Sequence, residues 1–299
     1  MGMDVGVYGS AFKTCKGLFK DYGRERVMDM PISESGNLGF ALGASQTGAR
    51  VIFEDQFADF ATEHATQLLN AATWYFRTGK PAQLLLRMPC GGGLSMGPFH
   101  SAEVEGLWSR IPGLKALYPA TAQETFEALV AGYYDENPVV VFEHKGLYWG
   151  APGIGKIDFD GDLKKVWRPR IYTEGNDMTV VALGAMVHEA LKAQKNLSYS
   201  LEIINPFVLS PLEKTIMDPL IESVKKTGRL VVIEESSEQM GIGEKFISTI
   251  TRSASRDYKT NPVLISAPNM PVPAAPELEN WYRPSCDKIV AVAHKMMQQ

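Results

Sequence analysis

The sequence predicts an α/β protein of two domains, each built on a mostly parallel sheet, with the second domain smaller than the first. Predicted strands alternate with predicted helices along both halves of the 299 residues, a pattern typical of parallel sheets covered by helices on both faces. A stretch rich in Gly, Pro and Asp at 150–161 separates the halves and predicts a linker. We therefore expect domains at 1–150 and 169–299, joined by residues 151–168.

The first half contains predicted strands and two long predicted helices. The strands are expected at 26–29, 50–54, 83–87, 115–118 and 139–144. The helices are expected at 59–77, where apolar residues recur on neighbouring turns, and at 121–134. Thr121 and Glu124 predict a capping box for the second helix, because both side chains can accept hydrogen bonds from unpaired amides at a helix start.

The same alternation restarts after the linker. Strands are expected at 178–183, 201–204, 229–234 and 263–266. Helices are expected at 187–195, 211–227, 243–252 and from about residue 285 onward. Ser210 and Glu213 predict a capping box at the start of the second of these helices.

The composition excludes several classes of protein. Hydrophobic residues make up 45% and charged residues 21%, and a net charge of −4 is spread along the chain without a basic stripe, so we expect no nucleic-acid partner. Three distant cysteines without metal-ligand spacing favour a reducing compartment. No signal peptide and no membrane-spanning apolar run are visible, which predicts a cytoplasmic protein with no membrane partner.

The segment Met30–Ala44, with the sequence MPISESGNLGFALGA, is the most informative part of the chain. It predicts a strand end, a tight turn and a closely packed helix, with the single carboxylate of Glu34 at the helix start. A lone carboxylate on an apolar wall tends to have a specific partner, which favours a functional role. The alternative, a solvated glutamate that opens a helix, stays open at this point.

A second candidate region is the glycine-rich loop Met88–Gly97 followed by His100. The loop could hold a phosphate on its backbone amides, but it lacks both nucleotide-binding fingerprints, and a mobile loop beside an active site is the favoured interpretation. Gly241 and Gly243 are better explained by a tight turn between a strand and a helix. A histidine such as His100 is more often structural, yet its place after a parallel strand favours function.

Eight segments, in order along the whole chain, resemble one protein family. They are MDVGVYGSAFKTCKGL, RVMDMPISESGNLGFALGAS, FEDQFADF, GPFHSAE, IPGLKALYPAT, DENPVVVFEHKGLY, PLEKTIMDPLIESVKKTGRLVVIEE and PNMPVPAAPELENWYRPSCDKIV. The chain is similar to the beta subunit of the thiamine diphosphate-dependent decarboxylase component of 2-oxoacid dehydrogenase complexes. The resemblance implies a pyrimidine-binding transketolase-like domain followed by a transketolase C-terminal-like domain.

The resemblance also implies roles for particular residues. Glu34 would hydrogen-bond the aminopyrimidine ring of thiamine diphosphate and favour the tautomer that removes the proton from its reactive carbon. Phe60 would stack on the pyrimidine, Leu38 would contact the cofactor, and His100 would assist proton transfer or acyl delivery. Potassium in some family members is held by carbonyl oxygens that correspond to Leu84, Gly132, Asp135 and Asn137. The alternative for Asp135 and Asn137 is a plain helix-terminal turn before Pro138.

The same family implies a missing half of the site. In the family, the diphosphate and magnesium are held by a GDG…N motif of an alpha-type subunit, usually in an α2β2 tetramer, and this sequence has no such motif. The resemblance implies that the second domain mainly forms subunit contacts and, as in some complexes of the family, docks a lipoyl acyltransferase. We therefore expect an alpha-type partner.

Some residues depart from the family pattern. The glutamines that often flank the His-Ser pair are Phe99 and Ala102 here. Family members usually have a helix and a strand before a GEDVG segment, whereas in this sequence that segment lies at the start, with Met3 in place of its glutamate. The first strand of the sheet is therefore expected to be missing or replaced. A biosynthetic acyl-transferring or carboligating relative fits the sequence as well. A non-catalytic paralogue is a further alternative, which the joint retention of Glu34, Phe60 and His100 disfavours. A stand-alone enzyme is another, which the absent diphosphate motif disfavours.

Overall fold

The described strands form two five-stranded, mostly parallel sheets with helices packed against them. The structure is a computed structural model that describes residues 1–149 and 156–299. The first half has strands β1 Val51–Glu54, β2 Leu84–Cys90, β3 Lys115–Leu117 and β4 Val139–His144. Its helices are α1 Leu18–Tyr22, α2 Glu34–Gln46, α3 Ala65–Ala72, α4 Trp74–Thr78, α5 Glu105–Trp108 and α6 Ala122–Tyr134, with 3-10 segments at Ala58–His64 and Lys145–Leu147.

The second half contributes the remaining elements. Its strands are β5 Arg170–Thr173, β6 Met178–Ala182, β7 Leu201–Asn205, β8 Val208–Ser210, β9 Leu230–Ser237 and β10 Val263–Ala267. Its helices are α7 Met186–Lys195, α8 Lys214–Thr227, α9 Ile242–Ala254, α10 Pro276–Tyr282 and α11 Cys286–Met297, with a 3-10 segment at Leu163–Lys165. The expected α/β class with mostly parallel sheets is confirmed.

The first sheet contains a strand from the second half of the chain. Its order is β1-β2-β4-β3-β8, and the pairs among β1 to β4 are parallel. β8 pairs antiparallel with β3, with Ala116 opposite Ser210. The expected domains at 1–150 and 169–299 stay a prediction, and the sheets do not divide the chain at one point. Residues 150–155, at the start of the expected linker, lie outside the described residues.

The second sheet has the order β10-β9-β6-β7-β5, with only the β5 edge antiparallel among the described pairs. Continuous burial along β4, β6 and β7 explains their largely apolar sequences, because helices cover both faces of a parallel sheet. The carboxyl ends of β2, β4 and β9 carry Cys90, His144 and Ser237 into the loops that form the site. This placement is the usual one for sites in α/β sheets.

Three sequence-based assignments were wrong. Residues 26–29 form a single bridge between Asp29 and Gly2 instead of a strand. The expected helix at 59–77 is a 3-10 segment followed by α3 and α4, and it is interrupted where the Thr73 hydroxyl donates to the carbonyl of Leu69. Ser210 does not cap a helix, because it lies in β8 and its hydroxyl donates to the Leu114 carbonyl, so α8 begins only at Lys214.

The predicted cap of α6 is present in a modified form. The Thr121 hydroxyl accepts from the Glu124 amide at 3.2 Å, as expected. The Glu124 carboxylate, however, accepts from the Ala120 amide at 2.7 Å, one residue before the N-cap. Among the described residues, no helix combines the length and the apolar character needed to cross a membrane.

Candidate active site

Glu34 is the first residue of α2 and is half-buried. The turn before it is fixed because the Asn37 amide side chain donates to the Pro31 carbonyl at 2.8 Å. A carboxylate at this position is favoured by the positive end of the helix dipole. Leu38, one turn further, has no exposed surface and belongs to the core, so it can support a ligand-binding wall only from behind. Its contact with a cofactor stays a prediction.

The structure brings Phe60 and His100 together in an aromatic cluster. Their ring centroids lie 5.5 Å apart, and the His100 ring meets the buried Phe57 edge-on at 4.5 Å. Phe99, which is largely exposed, extends the cluster at 6.0 Å from Phe60. The 3-10 segment that carries Phe60 packs directly on α2, the helix that begins with Glu34. Two predicted site residues thus meet, beside the helix that carries the other two.

A buried acid and a buried base lie behind this cluster. One oxygen of Asp59 accepts from the Ala102 amide at 3.1 Å, and the other has no partner among the described residues. The Lys145 ammonium lies 5.9 Å from the Phe57 ring centroid and is also buried without a described hydrogen-bond partner. Burial raises the pKa of Asp59 and lowers that of Lys145, because each charged form is poorly solvated.

Asp55 and His64 form a second buried pair in this region. The His64 Nε2 atom lies 2.9 Å and 3.1 Å from the two Asp55 carboxylate oxygens, and neither side chain is exposed. Burial lowers the pKa of His64, but the Asp55 carboxylate outweighs it and the net pKa is raised. The charge of Glu34 acts in the same direction, which places α2 within electrostatic reach of this pair.

The glycine-rich loop holds carboxylates of the same chain. The Gly92 amide donates to Glu235 at 2.7 Å, and the amides of Gly93 and Ser95 donate to the two oxygens of Glu279, each at 2.9 Å. Gly91 and Gly93 have positive φ angles of 81° and 89°, and a side chain at either would meet His144 or Arg283. The amides of Gly92, Gly93 and Ser95, which could have held a phosphate, are therefore already paired in this structure.

Glu235 lies at the centre of a buried ionic network. Besides Gly92, it accepts from His144 at 3.2 Å and from the Arg283 guanidinium at 2.8 Å. Burial raises the pKa of Glu235, but His144 and Arg283 outweigh burial and hold it well below its ordinary range. Burial and the neighbouring Glu105 raise the pKa of Glu103, whose carboxylate accepts a hydrogen bond from the Tyr118 hydroxyl at 2.7 Å.

Glu103, His144 and Glu235 have ligand atoms within 4.8 Å of one another, the spacing of a metal site. Their hydrogen bonds argue against that use. The Gly146 amide donates to Nδ1 of His144 at 3.1 Å, so the ring proton lies on Nε2, the atom that a metal would need. Arg283 already pairs with the Glu235 oxygen that faces His144. We therefore assign this network a structural role.

The turn at Gly241 and Gly243 also holds a carboxylate, in agreement with the expected strand-to-helix turn. The Gly243 amide, at the start of α9, donates to Glu234 at 2.7 Å. Burial and the nearby charge of Glu105 raise the pKa of Glu234 to about 8. A cavity of ≈ 810 Å³ lies between this turn and the segment after His100, lined by residues 101–104 and by Met240, Met270 and Tyr282.

The residues expected to hold potassium lie around the end of α6. The Asp135 carboxylate accepts from the Asn137 amide at 2.9 Å and pairs with the Lys115 ammonium at 2.6 Å. Gly132 lies against Val139 and against Leu85, the residue that follows Leu84 in β2. The plain turn before Pro138 is therefore present, and a potassium site on the carbonyl oxygens stays a prediction.

The fold and the site together define a two-domain protein of the transketolase type. Residues 1–149 match the family described as "Transketolase, pyrimidine binding domain", and residues 169–289 match "Transketolase, C-terminal domain". A solved structure titled "Split gene transketolase, inactive beta4 tetramer" superposes with a TM-score of 0.72 at 23% identity, covering 100% of this chain and 91% of that one. At that identity the likeness concerns the fold alone.

Curated relatives are similar over nearly the whole chain. The pyruvate dehydrogenase E1 component subunit beta of Staphylococcus epidermidis is 33% identical, covering 99% of this chain and 91% of the relative. The 2-oxoisovalerate dehydrogenase subunit beta of Bacillus subtilis is 32% identical, with 100% and 92% covered. The acetoin:2,6-dichlorophenolindophenol oxidoreductase subunit beta of the same organism is 35% identical, with 98% and 86% covered. The chain belongs to this family of 2-oxoacid dehydrogenase-type beta subunits.

Sequence reasoning missed several residues that shape the site. Asp59, Lys145, Glu235 and Glu279 lie far apart in sequence, and the contacts of Glu235 and Glu279 with the glycine-rich loop depend on the packing of the two halves. Lys145 and Glu235 gave a local signal, because Lys145 directly follows the buried strand β4 and Glu235 lies within the buried strand β9, where a charged side chain needs a reason.

Proposed function

We propose that the chain is the beta subunit of a thiamine diphosphate-dependent 2-oxoacid dehydrogenase and contributes the aminopyrimidine half of an active site shared with an alpha-type partner. The observation that carries this proposal is the cluster of Phe57, Phe60 and His100 beside the helix that begins with Glu34. A half-buried aromatic ring, a carboxylate and an imidazole suit a flat, nitrogen-rich ring. Full-length similarity to beta subunits supports the same assignment.

Each residue has a defined task in this proposal. Glu34 accepts a hydrogen bond from the aminopyrimidine, Phe60 stacks on its face, and Leu38 supports α2 from the core. His100 donates or accepts a proton at the substrate carbonyl or the acyl acceptor. When bound, thiamine diphosphate supplies the electron sink that decarboxylation of a 2-oxoacid requires. The buried Asp59 orients the segment after His100 through the Ala102 amide.

The surface near the site suits a protein partner. Ile32 is 87% exposed two residues before Glu34, and Phe76 on α4 is 95% exposed. Ile32, which lies close to Glu34 in sequence, is suited to burial against a partner subunit. We propose that an alpha-type subunit covers this side in an α2β2 tetramer, and that in a complex of the usual kind a lipoyl acyltransferase receives the acyl group.

The remaining parts of the proposal concern ions and location. Magnesium and the diphosphate would be held by the alpha-type partner, which is expected to carry the GDG…N motif. Potassium would be held by carbonyl oxygens of Leu84, Gly132, Asp135 and Asn137, where the Lys115 ammonium already pairs with the Asp135 side chain. Cys15, Cys90 and Cys286 are free thiols, which suits the proposed cytoplasmic location.

One observation favours a second candidate function. Phe99 occupies a position where the family often has glutamine, and its ring lies 6.0 Å from that of Phe60. An apolar ring cannot offer the hydrogen bonds of an amide to a substrate or a lipoyl group. An enzyme that decarboxylates a 2-oxoacid and transfers the acyl unit to another acceptor, by carboligation or in biosynthesis, fits this difference.

The test is co-expression with an alpha-type subunit followed by decarboxylation assays on a panel of 2-oxoacids. We expect a co-purifying complex whose activity depends on added thiamine diphosphate and magnesium, and no tight cofactor binding by the isolated chain in calorimetry. Assays with a lipoyl domain and with a soluble aldehyde acceptor separate the two candidates. Tight cofactor binding by the chain alone would contradict the shared site, and a complex inactive on every 2-oxoacid would favour a non-catalytic paralogue.

A further inference from the structure

The segment from Gly91 to Ala102, which carries His100, is closed at its ends and held at its centre by another part of the chain. The Gly91 amide donates to the Ala102 carbonyl at 3.3 Å, so the two ends lie side by side. Between them the side chains of Leu94, Met96 and Phe99 are exposed. Apolar burial therefore does little to fix the shape of this loop, and its polar contacts must do so.

Glu279 provides most of those contacts. Its side chain is fully buried, and each oxygen has a partner in the loop: Oε1 accepts from the Gly93 amide, and Oε2 accepts from both the amide and the hydroxyl of Ser95, the hydroxyl at 3.2 Å. Every hydrogen bond of this carboxylate among the described residues goes to the loop. A charged acceptor on backbone amides is among the stronger hydrogen bonds in proteins.

We propose that Glu279, on α10 of the second half, is a positioning residue that fixes the glycine loop and thereby places His100 against Phe57 and Phe60. Only a few residues separate Glu279's contact from His100. Glu279 holds Ser95, and the carbonyl of Gly97, two residues after Ser95, accepts a hydrogen bond from the His100 amide at 3.3 Å. Beyond His100, the Ala102 amide is fixed by Asp59. This inference rests on the proposed function for the role of His100, but the restraint of the loop does not.

Glu279 is a cleaner probe of this restraint than Glu235. Glu235 also binds the Gly92 amide, but it shares its other oxygen with His144 and Arg283, so a substitution there would disturb the whole ionic network. Glu277, on the same helix, is exposed and provides a matched control. Glu279→Gln and Glu277→Gln each remove one carboxylate from α10, but only Glu279 contacts the loop.

The first measurement is hydrogen exchange of the full-length chain, read on peptides that cover residues 91–97. We expect Glu279→Gln to speed exchange of the Gly93 and Ser95 amides about tenfold or more, the equivalent of one lost hydrogen bond to a charged group. Glu277→Gln should match the unchanged chain. Glu279→Ala, if it folds, should exceed Glu279→Gln. Equal exchange in Glu279→Gln and Glu277→Gln would overturn the proposed restraint.

The second measurement asks whether the restraint acts through His100. In the complex with the alpha-type partner, we expect Glu279→Gln to lower kcat about tenfold with little change in KM, but to lower it less than about twofold when His100 is already replaced by alanine. An equal loss in both backgrounds would overturn positioning of His100. If the complex without any substitution has no activity, that result counts against the proposed function. The exchange experiment still tests whether Glu279 restrains the loop.

Discussion

At the scale of single residues, the site depends on where a few polar side chains meet apolar ones. Glu34 lies at a helix start and is half-buried, and its functional role stays a prediction. Phe60 and His100 are half-buried, their rings meet edge-on, and the segment that carries Phe60 packs on α2. The role of Glu34 can therefore be tested without disturbing the core.

Replacing Glu34 by glutamine keeps the shape but removes the charge that is proposed to activate the cofactor. We expect the complex to assemble normally and to lose on the order of 10²-fold or more in decarboxylation rate, the scale of a positioned acid–base group. Glu63→Gln is the control, because Glu63 is an exposed carboxylate on the segment that packs against α2. Unchanged multiple-turnover activity in Glu34→Gln would exclude Glu34 as the proton partner of the cofactor.

At the scale of elements, both glycine-rich turns hold carboxylates. The loop after β2 holds Glu235 and Glu279, and the turn before α9 holds Glu234. The sequence showed the glycines but not their partners, because each partner is brought in by tertiary packing. Likewise β8 and α10 had no strong local signal: Val208–Ser210 is three residues long, and its pairing with β3 is long-range. Long elements with regular patterns, such as β4 and α6, were predicted well.

The carboxylate at the start of α9 predicts a pH dependence of stability. The pKa of Glu234 is about 8 in the folded chain against an ordinary value near 4.5, so the folded state binds the extra proton between those values. Its stabilising contribution is present below about pH 4.5 and is lost as the pH rises through 8. If Glu234 titrated alone, the loss would be at most about 5 kcal/mol.

The test compares thermal unfolding of the chain and of Glu234→Gln at pH 6 and pH 9. We expect the chain to unfold at a lower temperature at pH 9, and the difference to shrink in the variant, since glutamine cannot ionise. Glu277→Gln, which removes an exposed carboxylate from α10, should retain the full difference. If Glu234→Gln and Glu277→Gln behave alike, Glu234 does not govern the pH dependence.

At the scale of the whole molecule, the halves share a sheet and a buried ionic network while part of the outer surface remains apolar. Glu235 and Arg283 of the second half pair with each other beside His144 of the first. The side chains of Ile32 and Phe76 are 87% and 95% exposed, so they contribute little to this internal packing. We propose that they contact a partner subunit.

Replacing Phe76 by serine should weaken assembly without weakening the fold. The ring is 95% exposed, so its loss removes little buried apolar area from the chain itself. We expect light scattering to show less self-association, or a weaker complex with the alpha-type subunit, at an unchanged unfolding temperature. Thr78→Ala on the same short helix serves as the control. Assembly that is indifferent to Phe76→Ser would remove α4 from the subunit interface.

The pairing of β8 with β3 has a consequence for chimaeras made from two related beta subunits. A breakpoint anywhere between residues 156 and 207 would join one ancestor's β3 to another ancestor's β8, and the edge of the first sheet would then be closed by a strand that had not evolved against it. Chimaeras that exchange whole matched domains by sequence boundaries should therefore express less well than chimaeras that also restore the native residues of β8. The first sheet is therefore complete only when the first matched domain is combined with β8 of the second.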